Sequence, residues 1–264
     1  MTNSPIAVFD SGVGSLSIIR ELKRQIPHED LLYFADKLHF PYGNKSHRQL
    51  YEIILSSIKF LENYKPKLVI VASMTPSIQV LDQIRKRVNS RIIGIMPPIR
   101  VAVRLSKRKH IGIMATQRTI FSQELDALLR KEVPENVRII KFNAAQIIEL
   151  IENGIYVLDE RKTFDTISHL LMDKLEKKHI DVMILSSTHL PLVSNYFSSL
   201  FPLVKFVDPC HSVAKEVKKF LGYNRMLRRD GTGRLQIVAS GGKDHFEQTV
   251  RLMGITEPIK RVNP

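Results

Sequence analysis

Two stretches of this 264-residue chain place small hydroxyl side chains where an apolar run stops. Leu68-Val69-Ile70-Val71 runs into Ser73 and Thr75, and Val182-Met183-Ile184-Leu185 runs into Ser186, Ser187 and Thr188. His189 follows two residues after Ser187, close enough in sequence to contact it. A serine does chemistry when a neighbouring base takes its proton, and then usually as a nucleophile. Asp10 ends a third apolar run, Ile6-Ala7-Val8-Phe9, where a catalytic carboxylate would sit; it would serve equally as a cap for the helix that follows. Tyr42, in the loop Pro41-Tyr42-Gly43-Asn44, offers a hydroxyl and a ring wall. Glu152, taken alone, reads as part of a solvated helix face, and His189, just before Pro191, reads as a satisfied loop histidine. The nine histidines are scattered, with no pair at ligand spacing on a helix, so no metal is expected.

The elements that must hold these residues alternate. Short apolar runs at residues 6–9, 31–34, 68–71 and 91–96 read as strands, and residues 16–22, 48–63 and 80–84 carry apolar side chains at helical spacing. The pattern restarts near residue 98, with strands at 110–114, 137–142, 182–185 and 205–208 and an amphipathic helix over 164–177. A last strand at 236–241 and a helix at 246–253 follow. Runs bounded by polar residues suit strands buried on both faces of a parallel sheet. The alternation predicts an α/β protein of two similar domains. In such sheets ligands gather beyond the carboxyl ends of the strands. Two hydroxyl-rich strand ends far apart in sequence therefore predict one site shared by two halves. The turn Asp10-Ser11-Gly12-Val13-Gly14-Ser15 aims a helix N-terminus at that level, which favours an anion such as a substrate carboxylate. It is not a dinucleotide fingerprint, because no acidic residue at the expected distance completes one.

Composition limits the alternatives. With 44% hydrophobic and 25% charged residues the chain reads as soluble and globular. It has no apolar run long enough to span a membrane, and the first residues lack the basic and apolar regions of a secretory signal. A single cysteine, Cys210, excludes an intrachain disulfide and makes the cytoplasm the expected compartment. The formal net charge is +14, with basic clusters at Arg85-Lys86-Arg87, Arg104 to His110 and Lys215 to Arg234. Charge of this size favours polyanions. No nucleic-acid motif accompanies it, so a solvated basic surface is the simpler reading, with nucleic acid kept as an alternative partner.

Several motifs, in order, resemble the cofactor-independent glutamate racemases of the aspartate/glutamate racemase family. They are Val8-Phe9-Asp10-Ser11-Gly12-Val13-Gly14, Tyr33-Phe34-Ala35-Asp36 through Pro41-Tyr42-Gly43-Asn44-Lys45-Ser46, Ala115-Thr116-Gln117-Arg118-Thr119, Leu150-Ile151-Glu152-Asn153-Gly154, Thr188-His189-Leu190-Pro191 and Ser240-Gly241-Gly242 through Phe246. The resemblance spans essentially the whole chain. It implies two α/β domains with mainly parallel sheets facing across a cleft, with the C-terminal segment returning to the first domain. The boundaries expected are 1–98 plus 211–264, and 99–210. It also implies glutamate bound between the halves, no cofactor, and two cysteines flanking the α-carbon, one removing its proton and the other supplying one. Asp10, Glu152 and His189 stand at the positions of the helpers. The ligand-binding positions are Asp10, Ser11, Pro41, Tyr42, Gly43, Ser73, Met74, Thr75, Thr116, Thr119, Ser187, Thr188 and His189.

The departures fall at the centre. Ser73 and Ser187 stand at the two catalytic cysteine positions, Met74 replaces an asparagine, Pro76 an alanine and Ser186 a glycine. Cys210 lies elsewhere and reads as packed. An alkyl alcohol has a pKa several units above a thiol's value near 8.5, and each unit is about 1.4 kcal/mol. A symmetrical two-thiol mechanism is thereby excluded. Three readings remain: a racemase homologue that binds an amino acid or dicarboxylate without racemising it; an isomerase, racemase or lyase using Asp10 and His189 on another acidic substrate; and an interaction protein with a basic, polyanion-binding surface. A homodimer is the assembly the resemblance leaves open.

Overall fold

Runs of Val, Ile and Leu four to six residues long lose all contact with water only inside a sheet covered by helices on both faces. The computed structural model, which describes residues 4–242 and 244–264, buries them this way twice. Among the described residues ten strands form: β1 Ile6–Asp10, β2 Leu31–Asp36, β3 Leu68–Val71, β4 Ile92–Gly94, β5 His110–Ala115, β6 Arg138–Asn143, β7 Val182–Leu185, β8 Lys205–Val207, β9 Leu235–Ser240 and β10 Ile259–Arg261. The chain divides into two units. One takes it up to Ile95 and again from Cys210; the other is Met96–Pro209.

In the first unit a six-stranded sheet has the order β10-β9-β2-β1-β3-β4. Every pairing is parallel, with Phe9 opposite Phe34 on one side and Val71 on the other. β1, β2 and β3 are buried at every position, as a central parallel strand must be. The helix His47–Glu62 covers one face with Leu50, Ile54, Ile58 and Leu61, and a Ser46–Gln49 capping box fixes its start. The helix Cys210–Tyr223 packs against Leu16–Gln25, and Gln25 Nε2 donates to the His211 carbonyl at 3.3 Å.

In the second unit a four-stranded parallel sheet has the order β6-β5-β7-β8. Its core joins Ile111, Ile113, Val182 and Ile184 to Ile99, Leu125 and Leu129 of the covering helices. Both units share one local plan. After β3 the Ala72 N–H donates to the Phe9 carbonyl of β1, and after β7 the Ser186 N–H donates to the Met114 carbonyl of β5, each at 2.7 Å. The hydroxyl-rich stretches thus leave their sheets at equivalent places.

Three local differences from the sequence expectation have physical causes. The single helix expected beyond β3 is two, Met74–Gln79 and Leu81–Ile84, because Val80 at φ −125°, ψ −12° is not helical. β10 has no counterpart among the expected strands; it is an edge strand of three residues with only Ile259 buried, and such a strand has no apolar run. The basic cluster that begins at Lys215 masks the helix Cys210–Tyr223 in the sequence, although Val213, Ala214, Val217 and Leu221 form its buried stripe. Residues 1–3 of the stretch read for a signal sequence, and Lys243 within the closing motif, lie outside the described residues. No described helix is long and apolar enough to cross a membrane.

Candidate functional site

In the first unit the predicted residues gather at the carboxyl ends of β1, β2 and β3. Asp10 ends β1, is buried, and accepts from the Ser11 N–H at 2.7 Å. Part of its role is therefore the turn-capping one. Ser73 follows Ala72, whose N–H reaches back to Phe9, so Asp10 and Ser73 leave adjacent strands. Ser73 is half-buried and takes the N-cap position of Met74–Gln79 without a side-chain capping bond. Ser77 holds this turn instead: its hydroxyl donates to the Ser73 carbonyl at 2.7 Å and accepts from the Ile95 N–H at 3.0 Å. Met74 and Thr75 are buried beside it.

Tyr42 opens the short 3₁₀ turn Tyr42–Asn44, between exposed Pro41 and half-buried Gly43. Its hydroxyl donates to Asp36 Oδ2 at 3.0 Å. Asp36, fully buried at the end of β2, also accepts from Ser240 Oγ at 2.7 Å and contacts His39 Nδ1 at 2.9 Å. Burial first, then the Asp36 and Asp10 carboxylates, push the Tyr42 phenol well above its ordinary range. Tyr42 is thus a neutral donor at any ordinary pH. The sequence points to Tyr42 but gives Asp36, His39 and Ser240 no evident role beside it. The signal was available: Asp36 ends β2 as Asp10 ends β1.

In the second unit β5 ends at Ala115, and Thr116 caps the short helix Gln117–Ile120. Thr116 Oγ1 donates to Thr119 Oγ1 at 2.9 Å and accepts from the Thr119 N–H at 3.3 Å. Beyond β7 come Ser187, Thr188 and His189, all buried. Ser187 Oγ lies 3.3 Å from His189 Nδ1, and His189 Nε2 lies 2.5 Å from Glu152 Oε1. A carboxylate only accepts, so Nε2 carries a hydrogen, and in the neutral ring Nδ1 is left as the acceptor for the Ser187 hydroxyl.

Glu152 is not the solvated residue its sequence context suggested. It ends the helix Ala145–Glu152, whose Ile147, Leu150 and Ile151 are buried, and it is only 8% exposed itself. Gly154 at φ 69° then turns the chain sharply, a conformation that glycine adopts without strain. Ser186 Oγ is buried and finds no hydrogen-bond partner among the described residues. An open groove of about 980 Å³ along Glu160–Lys177, lined by Gln146, Asp165 and His169 among others, shares no residue with this cluster.

Cys210 is buried at the start of its helix, and its thiol donates to Ser17 Oγ at 3.5 Å. Ser73 and Ser187 belong to different units. Among the described residues no group of three His, Cys, Asp or Glu side chains is arranged to hold a metal ion.

No protein-family model matches the chain. Its sequence is similar to a glutamate racemase of Shewanella frigidimarina, 33% identical over 224 residues that cover 83% of this chain and 84% of that protein. Its structure is similar to the glutamate racemase isoform RacE1 of Bacillus anthracis, with TM-score 0.85 and 26% identity over 100% of this chain and 98% of that one. It is also similar to the glutamate racemase of Thermus thermophilus solved in complex with β-chloro-D-alanine, with TM-score 0.84 and 25% identity over 99% and 98% of the two chains.

Proposed function

The chain belongs to the glutamate racemase family, and on that premise we propose that it binds an amino acid or dicarboxylate through strand-end residues and has lost two-thiol racemisation. What supports this reading is the single cysteine, buried against Ser17, together with the serines Ser73 and Ser187 that the family resemblance puts at the thiol positions. Removing an α-proton without a cofactor needs a base populated near neutral pH and stabilisation of the carbanion. An unassisted alkoxide is never populated there. Polar groups at the same strand ends support it: Asp10, neutral Tyr42 and the Ser11 turn in one unit, and Thr116, Thr119, Thr188 and His189 in the other. Such hydroxyls, with backbone N–H groups, suit the carboxylates and ammonium of an amino acid.

The test is proton NMR in deuterated water with each enantiomer of glutamate and aspartate. The expected result is saturable ligand shifts with no loss of the α-proton signal. The double variant S73C/S187C should gain α-proton exchange, because it restores both thiols without altering the helpers. Exchange by the unaltered protein, abolished on replacing Asp10 or His189, would replace this reading with catalysis by those two groups. Absence of any ligand shift would remove the binding half.

A further inference from the structure

Three buried side chains of the second unit, Ser187, His189 and Glu152, form one chain of polar contacts. Ser187 lies two residues past the end of β7, on the turn into the 3₁₀ helix Leu190–Val193. A strand-to-helix turn is where many hydrolases present a nucleophilic serine. Ser187 Oγ is 3.3 Å from His189 Nδ1, and His189 Nε2 is 2.5 Å from Glu152 Oε1. Ser187 is 5% exposed, and His189 and Glu152 are each 8% exposed. The carboxylate comes from another element, the helix Ala145–Glu152, so the relay is set by tertiary packing rather than by the local turn.

We propose that Ser187, His189 and Glu152 form an acyl-transfer site, with Ser187 Oγ the nucleophile, His189 its general base and Glu152 the positioning residue, acting on an ester or thioester of a small carboxylic acid. Serine is a poor base toward carbon, but its oxygen is a competent nucleophile toward an acyl carbon when an imidazole takes its proton as the bond forms. The hydrogen bond to Glu152 holds His189 in the tautomer whose Nδ1 accepts, which is the orientation the Ser187 hydroxyl requires. This goes beyond ligand binding and stands on the second unit alone.

The steps balance without a further reagent. Ser187 Oγ forms a bond to the acyl carbon and its proton passes to His189 Nδ1. The tetrahedral adduct breaks the bond to the leaving alcohol or thiol, which departs with the proton from His189. Water then attacks the Ser187 ester, giving a proton to Nδ1. Collapse releases the carboxylic acid, and Ser187 Oγ recovers its proton. The sum is ester plus water to acid plus alcohol.

The experiment incubates the purified full-length protein with a fluorescent fluorophosphonate and, separately, with p-nitrophenyl acetate. One fluorophosphonate label per chain, mapped by peptide mass spectrometry to Ser187, is expected, as is a burst of p-nitrophenol of matching amount. Glu152→Gln keeps the shape of the side chain but loses its charge, and should slow labelling by about 100-fold or more; Glu152→Asp should recover part of the rate. A merely structural Glu152 would not separate these two variants. Ser187→Ala should abolish labelling. Should that variant misfold, mapping on the unaltered protein still decides. Absence of label on protein shown to be folded by circular dichroism, a label on any other residue, or equal rates for Glu152→Gln and the unaltered protein would each overturn the proposal. Labelling does not depend on amino-acid binding, so either reading can fail while the other stands.

Discussion

Tyr42 shows how a single side chain in this protein is tuned by what surrounds it. Its phenol is buried, donates to Asp36 and feels the charge of Asp10, and all three favour the neutral form. The folded state therefore holds this proton more tightly than the unfolded chain does. Below pH of about 10 both states keep it, and the interaction is fully present. Above that the unfolded chain releases it first, so stability falls as pH rises. Tyr42→Phe should cost about 1–2 kcal/mol at neutral pH by removing one donor to a buried carboxylate. It should also flatten the alkaline decline, which urea unfolding at neutral and alkaline pH would reveal. An unchanged alkaline slope would mean that Tyr42 is not the group responsible. Asp36 itself still accepts from Ser240 after that change, so the loop from Leu38 should persist.

At the scale of elements, loops are held by carboxylates that collect backbone donors. Asp181, just before β7, accepts from Ser106 Oγ at 2.6 Å, from the Lys107 N–H at 2.7 Å and from the Arg108 N–H at 2.8 Å. It pins the end of the helix Ile99–Leu105 to the start of the strand that leads to Ser187. Burial pushes its carboxyl up, but the hydrogen bonds from Ser106, Arg108 and Lys107 outweigh that, and the net shift is downward from 3.8. The stabilisation is present above that ordinary value and is lost as pH falls through the folded one. Asp181→Ala should cost about 1 kcal/mol at neutral pH, since water reaches this half-buried loop and takes over some donors. The loss should shrink in acid, where the native carboxylate is protonated too; thermal melts of both proteins across the acid range measure it.

At the scale of the molecule, the two units depend on the chain differently. The second unit is one continuous segment, 96–209, with its own core of Ile113, Ile184 and Leu125. The first is discontinuous, and β9 lies between β2 and β10 in its sheet. Removing everything after residue 209 would strip β2 of β9, one of its two strand partners, and would uncover Phe34, which packs in one core with Val238 of β9. Calorimetry should therefore show a cooperative transition for the fragment 96–209. The fragment 1–209 should retain that transition and lose the one belonging to the first unit. A native-like first unit in 1–209 would show that β9 and β10 are dispensable to it.

By themselves, the residues determined most of the layered plan and the missing thiol chemistry. β3 and β7 were legible because burial on both faces demands an unbroken apolar run, and a run is visible in one dimension. Cysteine count alone excluded two thiols. The edge strand β10 and the break at Val80 were not legible, since neither follows from a repeating pattern of apolar residues. The polar contacts were hidden for a different reason. Glu152 reads as solvent-facing in its own helix, and only tertiary packing puts it against His189. Asp36 closes an apolar run in sequence, and its partners Tyr42 and Ser240 lie 6 and 204 residues away. Which strand ends carry polar groups is a local property of the chain; which of those groups meet is decided by non-local packing, and so only by the tertiary structure.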